Sequence, residues 1–150
     1  MRLELGSTTD RRPPFKYSAL TRVGFSDTDA QGIVYYGRYL PYFDLARTEY
    51  QRRIGRVDAP GCEFVLRAQS VEYHAPARFD DLLEVFVRVG RVGRSSLTWE
   101  LAAYKLNGED DTLMTTASQT QVLIDRAGRR PYQIPDSFRR SVSAVEAAEL

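Results

Sequence analysis

One stretch of helical period set among strand-like segments decides most of what this 150-residue chain can fold into. Tyr39, Phe43, Ala46, Tyr50 and Ile54 follow one another at three- and four-residue steps, which puts them on one side of an α-helix. The spacing predicts a helix over Gly37–Ile54 that stops at Gly55. Pro41 fits it only in the first turn, because deeper in the helix a proline removes a backbone donor and clashes with the preceding turn. Ahead of the helix, "FKYSALTRVGF" alternates and predicts a strand over Phe15–Phe25. Behind it come "CEFVLRAQSVEYHA", "DLLEVFVRVGRV", "SSLTWELAAYKL" and "TLMTTASQTQVLI", rich in branched and aromatic residues and separated by turn residues. Gly93-Arg94 and Asn107-Gly108 mark two hairpins. One strand, one long helix and four antiparallel strands pack most economically with the helix across one sheet face, an α+β fold.

Flanking this unit, residues 1–14 are polar and end in Pro13-Pro14, which predicts a flexible tail. Residues 15–140 then form a single domain, with a C-terminal tail at 141–150 that includes a short frayed helix. The net charge of +1 is too weak a field to recruit nucleic acid or anionic lipid, and no apolar run is long enough to span a membrane. Cys62 is the only cysteine and His74 the only histidine, too few for a structural zinc site or an internal disulfide. With no signal-peptide pattern in the first fifteen residues, a reducing, cytoplasmic setting is expected.

The chemistry concentrates where the first strand hands over to the helix, in "FSDTDAQGIVYYGRYL". The first turn of a helix carries N–H groups without internal partners, and the aligned peptide dipoles make that end positive. Gly32 lets the loop approach a ligand closely, and the amides of Tyr36 and Gly37 face whatever lies there. Asp27 and Asp29 stand just upstream, and a carboxylate beside free amides suits attack on a carbonyl group. The residue types alone leave a second reading open, in which both aspartates cap turns and the glycine only turns the chain.

The wording of three motifs goes further. "DTDAQGIVYY", "YLPYFDLAR" and "YHAPARFDD", in this order, resemble the hotdog-fold acyl-CoA thioesterases of the 4-hydroxybenzoyl-CoA thioesterase family, including those encoded near the Tol-Pal system. The similarity runs from about Lys16 to Ser137. It implies a hotdog fold, a five-stranded antiparallel sheet wrapped around one long central helix, and hydrolysis of an acyl-CoA to a free acid and CoA. Carried over by position, the resemblance puts the catalytic acid on Asp29, as nucleophile or general base, and makes Asp27 a loop-ordering acid. The backbone N–H groups of Tyr36 and Gly37 would polarise the thioester carbonyl, with Gly32 and Val34 lining the substrate. Arg94, Ser95 and Ser96 in "RVGRSS", and Arg130, match basic positions that contact the CoA nucleotide; Arg88 and Arg91 are weaker matches. His74 falls where relatives carry an aromatic or imidazole side chain, so it is expected to pack or to line the pocket.

Asp44, Arg47 and Glu49 match helix-anchoring charges of the family, and Cys62 reads as a small apolar residue. The resemblance also implies no cofactor beyond the CoA of the substrate, no metal, and a homodimer that pairs into a tetramer. A non-catalytic acyl-CoA-binding module on the same fold is the alternative. Hydratases of this fold use a His in a different motif, and the short N-terminal segment leaves no room for a DNA-binding helix-turn-helix.

Overall fold

A computed structural model describes residues 4–148 and 150. The elements in chain order are β1 (Gly6–Thr8), β2 (Tyr17–Arg22), α1 (Tyr39–Ile54), β3 (Cys62–Tyr73), β4 (Leu82–Val92), β5 (Ser96–Lys105), β6 (Thr112–Asp125), β7 (Arg130–Pro131) and α2 (Asp136–Glu146). The strands form one antiparallel sheet in the order β1-β2-β4-β5-β6-β3, with β7 paired to β6. Five long strands carry the sheet, as expected, and β1 and β7 add two short ones at its margins.

α1 lies across the concave face. Its buried side, Tyr39, Tyr42, Phe43, Ala46, Glu49 and Tyr50, meets the inward residues Leu83, Val85, Val87 and Val89 of β4 and Leu97, Trp99, Leu101 and Ala103 of β5. The alternation of those strands and the helical period of α1 therefore serve a single core. The Tyr50 ring stands edge-on to Trp99 at 5.1 Å, and the Trp99 indole N–H donates to Gln121 Oε1 at 2.9 Å. This is the hotdog arrangement.

The helix begins slightly later than its period suggests. Tyr36–Arg38 forms a 3₁₀ turn and the α-helix proper starts at Tyr39, so Pro41 stays in the first turn. β2 also ends three residues early. The Gly24 N–H donates to Asp27 Oδ2 at 2.9 Å, which turns Phe25–Asp27 out of the ladder.

Both chain ends are more engaged than a reading as tails suggests. Of the N-terminal residues, 1–3 lie outside the described residues, Gly6–Thr8 pairs with β2, and the following segment crosses the outer face of the sheet. There Arg11 pairs with Glu84, the Arg12 guanidinium lies 3.7 Å from the Tyr104 ring centroid, and Phe15 packs on Phe86 at 5.8 Å. At the other end α2 buries Phe138, Val142 and Glu146. The Glu146 carboxylate accepts from Tyr50 Oη at 2.6 Å and from the Val89 N–H at 3.0 Å, beside the bulge where β4 shifts register against β5. β3 is the exposed margin: a twelve-residue strand that pairs, among the described residues, with β6 alone and carries a bulge between Leu66 and Ala68.

Candidate active site at the head of the long helix

Between β2 and α1 the chain folds back on itself. The Asp29 N–H donates to the Ile33 carbonyl at 2.9 Å and the Gly32 N–H to the Asp29 carbonyl at 2.9 Å, with Gly32 at φ +77°, a value that excludes most side chains. The Val34 N–H then reaches the Ala77 carbonyl at 2.8 Å, which ties this turn to the segment after β3. Asp29 sits at the opening of the turn. Its Oδ1 accepts the Gln31 N–H at 2.8 Å, while its other oxygen has no hydrogen-bond partner among the described residues.

Asp27 is used differently. Its Oδ2 accepts from Tyr42 Oη at 2.7 Å as well as from Gly24, and Oδ1 lies 3.6 Å from Arg38 Nε. One acid of the pair is thus committed to binding the loop to α1, and the other keeps a free oxygen.

That free carboxylate borders a cavity of about 360 Å³ walled by Ile33, Val34, Tyr36, Tyr39, Tyr73 and His74, among others. Tyr36 opens the 3₁₀ turn, and neither its N–H nor that of Gly37 has a protein acceptor among the described residues. Asp29 and Tyr36 therefore border one hollow near the positive end of α1, and Gly37 follows Tyr36 in the same turn. A cavity of about 420 Å³ at the other end of α1, bordered by Gln51, Arg56, Cys62 and Phe138, holds no such pairing.

Phenol rings form much of the wall. Tyr35 and Tyr36 lie 4.2 Å apart, Tyr36 and Tyr73 6.5 Å, and Tyr73 and Tyr39 5.8 Å. Burial raises the pKa of Tyr39 and of Tyr73, so both remain hydrogen-bond donors through the neutral range. Tyr73 Oη donates to the Tyr36 carbonyl at 2.9 Å. His74 lines the same hollow, with Nε2 3.1 Å from Thr116 Oγ1, in keeping with its expected pocket-lining place. Tyr73 was legible as strand but not as part of the site. The signal was the period of two that puts it on the same face of β3 as Val71 and Gln69.

The CoA-contact candidates lie elsewhere in the chain. The Ser95 carbonyl accepts the Leu123 N–H at 2.8 Å, and Leu123 pairs with Phe64, nine residues before Tyr73 on β3. At roughly 3.3 Å per residue that is about 30 Å from the Asp29 cavity. Arg94 and Ser96 share this hairpin, and Arg130 on β7 pairs with Asp125 at the same end. Within one chain these residues come together with each other and not with Asp29. Among the described residues no group of three or more His, Cys, Asp or Glu side chains converges as metal ligands. No helix among the described residues is long and apolar enough to cross a membrane.

Comparison with known proteins bears on the family and the fold. Residues 31–112 match the sequence profile of the thioesterase superfamily. The acyl-CoA thioester hydrolase YbgC of Escherichia coli O157:H7 is 33% identical over 121 residues, 78% of this chain and 88% of that protein. A thioesterase superfamily structure from Jannaschia sp. CCS1 superposes with a TM-score of 0.82 at 25% identity, covering 91% of this chain and 87% of that one. A 4-hydroxybenzoyl-CoA thioesterase, solved as a mutant complexed with 4-hydroxybenzoyl-CoA, shares the fold at a TM-score of 0.78 and 20% identity, over 84% and 97% of the two chains. On the strength of the profile match and the YbgC identity, the chain belongs to the thioesterase superfamily and is a thioester hydrolase.

Proposed function

We propose that this protein hydrolyses acyl-CoA thioesters in the cavity beside Asp29. The observation that carries the reading is one hollow bordered by Asp29, whose carboxylate keeps an oxygen without a partner, and by Tyr36, which opens a turn whose Tyr36 and Gly37 amides have no acceptor among the described residues. The acyl carbonyl oxygen rests against the Tyr36 and Gly37 N–H groups, which hold the negative charge that develops on it. Asp29 either attacks the carbonyl carbon, giving a mixed anhydride that water opens, or takes a proton from the attacking water. In both routes the C–S bond breaks, CoA leaves as the thiolate and the acyl group leaves as the free acid. Gly32 sets the turn that presents Asp29, and Val34 contributes apolar wall. The name of the YbgC relative supports CoA as the carrier.

The leaving group needs cations, and the arginines that suit it stand at the far end of the sheet. A two-fold pairing of β3 with β3 of a second copy turns the strand end for end. It thereby brings Arg94, Ser95, Ser96 and Arg130 of a partner subunit toward the Asp29 end. A homodimer is the minimum assembly in this reading and a dimer of dimers the fuller one. The single unpaired cysteine fits a reducing, cytoplasmic setting.

Thiol release from a panel of short-chain, medium-chain and aromatic acyl-CoAs tests the reading. Wild-type protein is expected to turn over at least one of them, and Asp29→Asn to lose about a hundredfold or more in kcat. Equal rates in the two proteins would remove Asp29 from the chemistry, and binding without turnover across the panel would favour the non-catalytic acyl-CoA module.

A further inference from the structure

The two candidate oxyanion donors belong to consecutive peptides, and the carbonyl of each peptide accepts a hydrogen bond. The Tyr36 N–H shares its peptide with the Tyr35 carbonyl, which accepts the Arg38 N–H at 2.8 Å. That bond is the 3₁₀ turn itself. The Gly37 N–H shares its peptide with the Tyr36 carbonyl, which accepts from Tyr73 Oη at 2.9 Å. This second bond is not local: Tyr73 stands at the end of β3, 37 positions further along the chain, and its ring also packs edge-on against Tyr36 and Tyr39. A donor on a peptide carbonyl draws electron density from the nitrogen, makes the N–H more acidic and fixes the plane in which it points. Gly37 has no side chain to hold that plane, so the orientation of its N–H rests on what holds the carbonyl.

We propose that Tyr73 is a positioning residue of the thioester-hydrolysing site: its hydroxyl polarises and orients the Tyr36–Gly37 peptide so that the Gly37 N–H meets the developing oxyanion. This rests on the assignment of the Tyr36 and Gly37 amides as carbonyl-polarising groups. The gain falls on the transition state, because the charge on the carbonyl oxygen grows only as the tetrahedral species forms. The phenol keeps its proton through the neutral and mildly alkaline range, since burial lifts its pKa, so the donor is present throughout the working range. The other groups facing it are the Tyr36 and Tyr39 rings, His74 beyond the end of the strand, and Asp29 across the cavity.

Tyr73→Phe removes one oxygen from a half-exposed ring and leaves the packing in place. With the best substrate of the acyl-CoA panel, kcat is expected to fall about tenfold or more while KM stays within about twofold. The melting temperature is expected to stay within a few degrees, as for loss of one exposed hydrogen bond. The carbonyl ¹³C resonance of Tyr36 reports the bond itself, since loss of the donor shifts it upfield in the substrate-free protein, while a purely structural role would leave kcat per folded enzyme unchanged. Unchanged kcat, a loss confined to KM, or an unmoved Tyr36 resonance would each overturn the inference. Asp29→Asn separates this from failure of the underlying reading. If wild type is active and Asp29→Asn is not, a fully active Tyr73→Phe sinks only the role of Tyr73. If Asp29→Asn is as active as wild type, the site assignment itself fails.

Discussion

Asp27 and Asp29 are the same residue two positions apart, and their neighbours give them opposite work. Asp27 accepts from Gly24 and Tyr42, so Asp27→Ala strands a buried phenol donor and a backbone N–H. A loss of about 1–3 kcal/mol in urea unfolding is expected, with residual activity tracking the folded fraction. Asp29→Asn, by contrast, keeps the oxygen that accepts the Gln31 N–H and so is expected to leave stability within about 0.5 kcal/mol while removing turnover. Gly37→Ala places a methyl group 3.1 Å from the Tyr35 ring. The exposed ring gives way, so the substitution is expected to fold but to tilt the amide pair, lowering kcat about tenfold. The sequence supplied both acids, the glycine and the helix head. It did not supply Tyr42 and Tyr73, since the first bond closes a fifteen-residue interval and the second a thirty-seven-residue one. No local pattern records such pairings.

At the level of elements, α1 was readable because its period is regular and its stop is a glycine; its start was blurred because a 3₁₀ turn shares the same residues. The four long strands after it were readable from alternation and hairpin turns. α2 was visible as helix but not as packed helix, because what anchors it is a glutamate, a residue type seldom buried. Glu146 satisfies Tyr50 and the Val89 N–H next to the β4 bulge, both inside the core. Glu146→Ala leaves those two donors unpaired and is expected to cost about 3 kcal/mol in denaturant unfolding. A melting temperature within one or two degrees of wild type would show α2 to be dispensable.

For the whole molecule, one set of phenols governs alkaline stability, and the two surfaces of the sheet differ in how they are covered. The pKa of Tyr42 is raised by burial and then by its bond to Asp27, and that of Tyr50 by burial and then by its bond to Glu146. Both phenols keep their protons in the fold when free phenols, with pKa about 10, have lost theirs. Above that pH the unfolded chain binds fewer protons than the native one, so stability is flat below about pH 10 and falls as pH rises further. Urea midpoints between pH 8 and 11 check this, and Tyr50→Phe is expected to shallow the fall. On the open margin, Leu66 is 46% exposed on β3. If copies pair along this strand, Leu66→Lys is expected to shift sedimentation toward monomer and to raise KM for acyl-CoA, since the arginine-bearing end of the neighbour moves away. An unchanged sedimentation coefficient would argue against β3 as the seam. The opposite surface is already occupied: Arg11, Arg12 and Phe15 lie over Glu84, Phe86 and Tyr104. A protease clip or an inserted tag among residues 11–15 is therefore an edit to the outer wall of the sheet. Preparations that differ only in how their amino ends were trimmed will differ in how readily they clump.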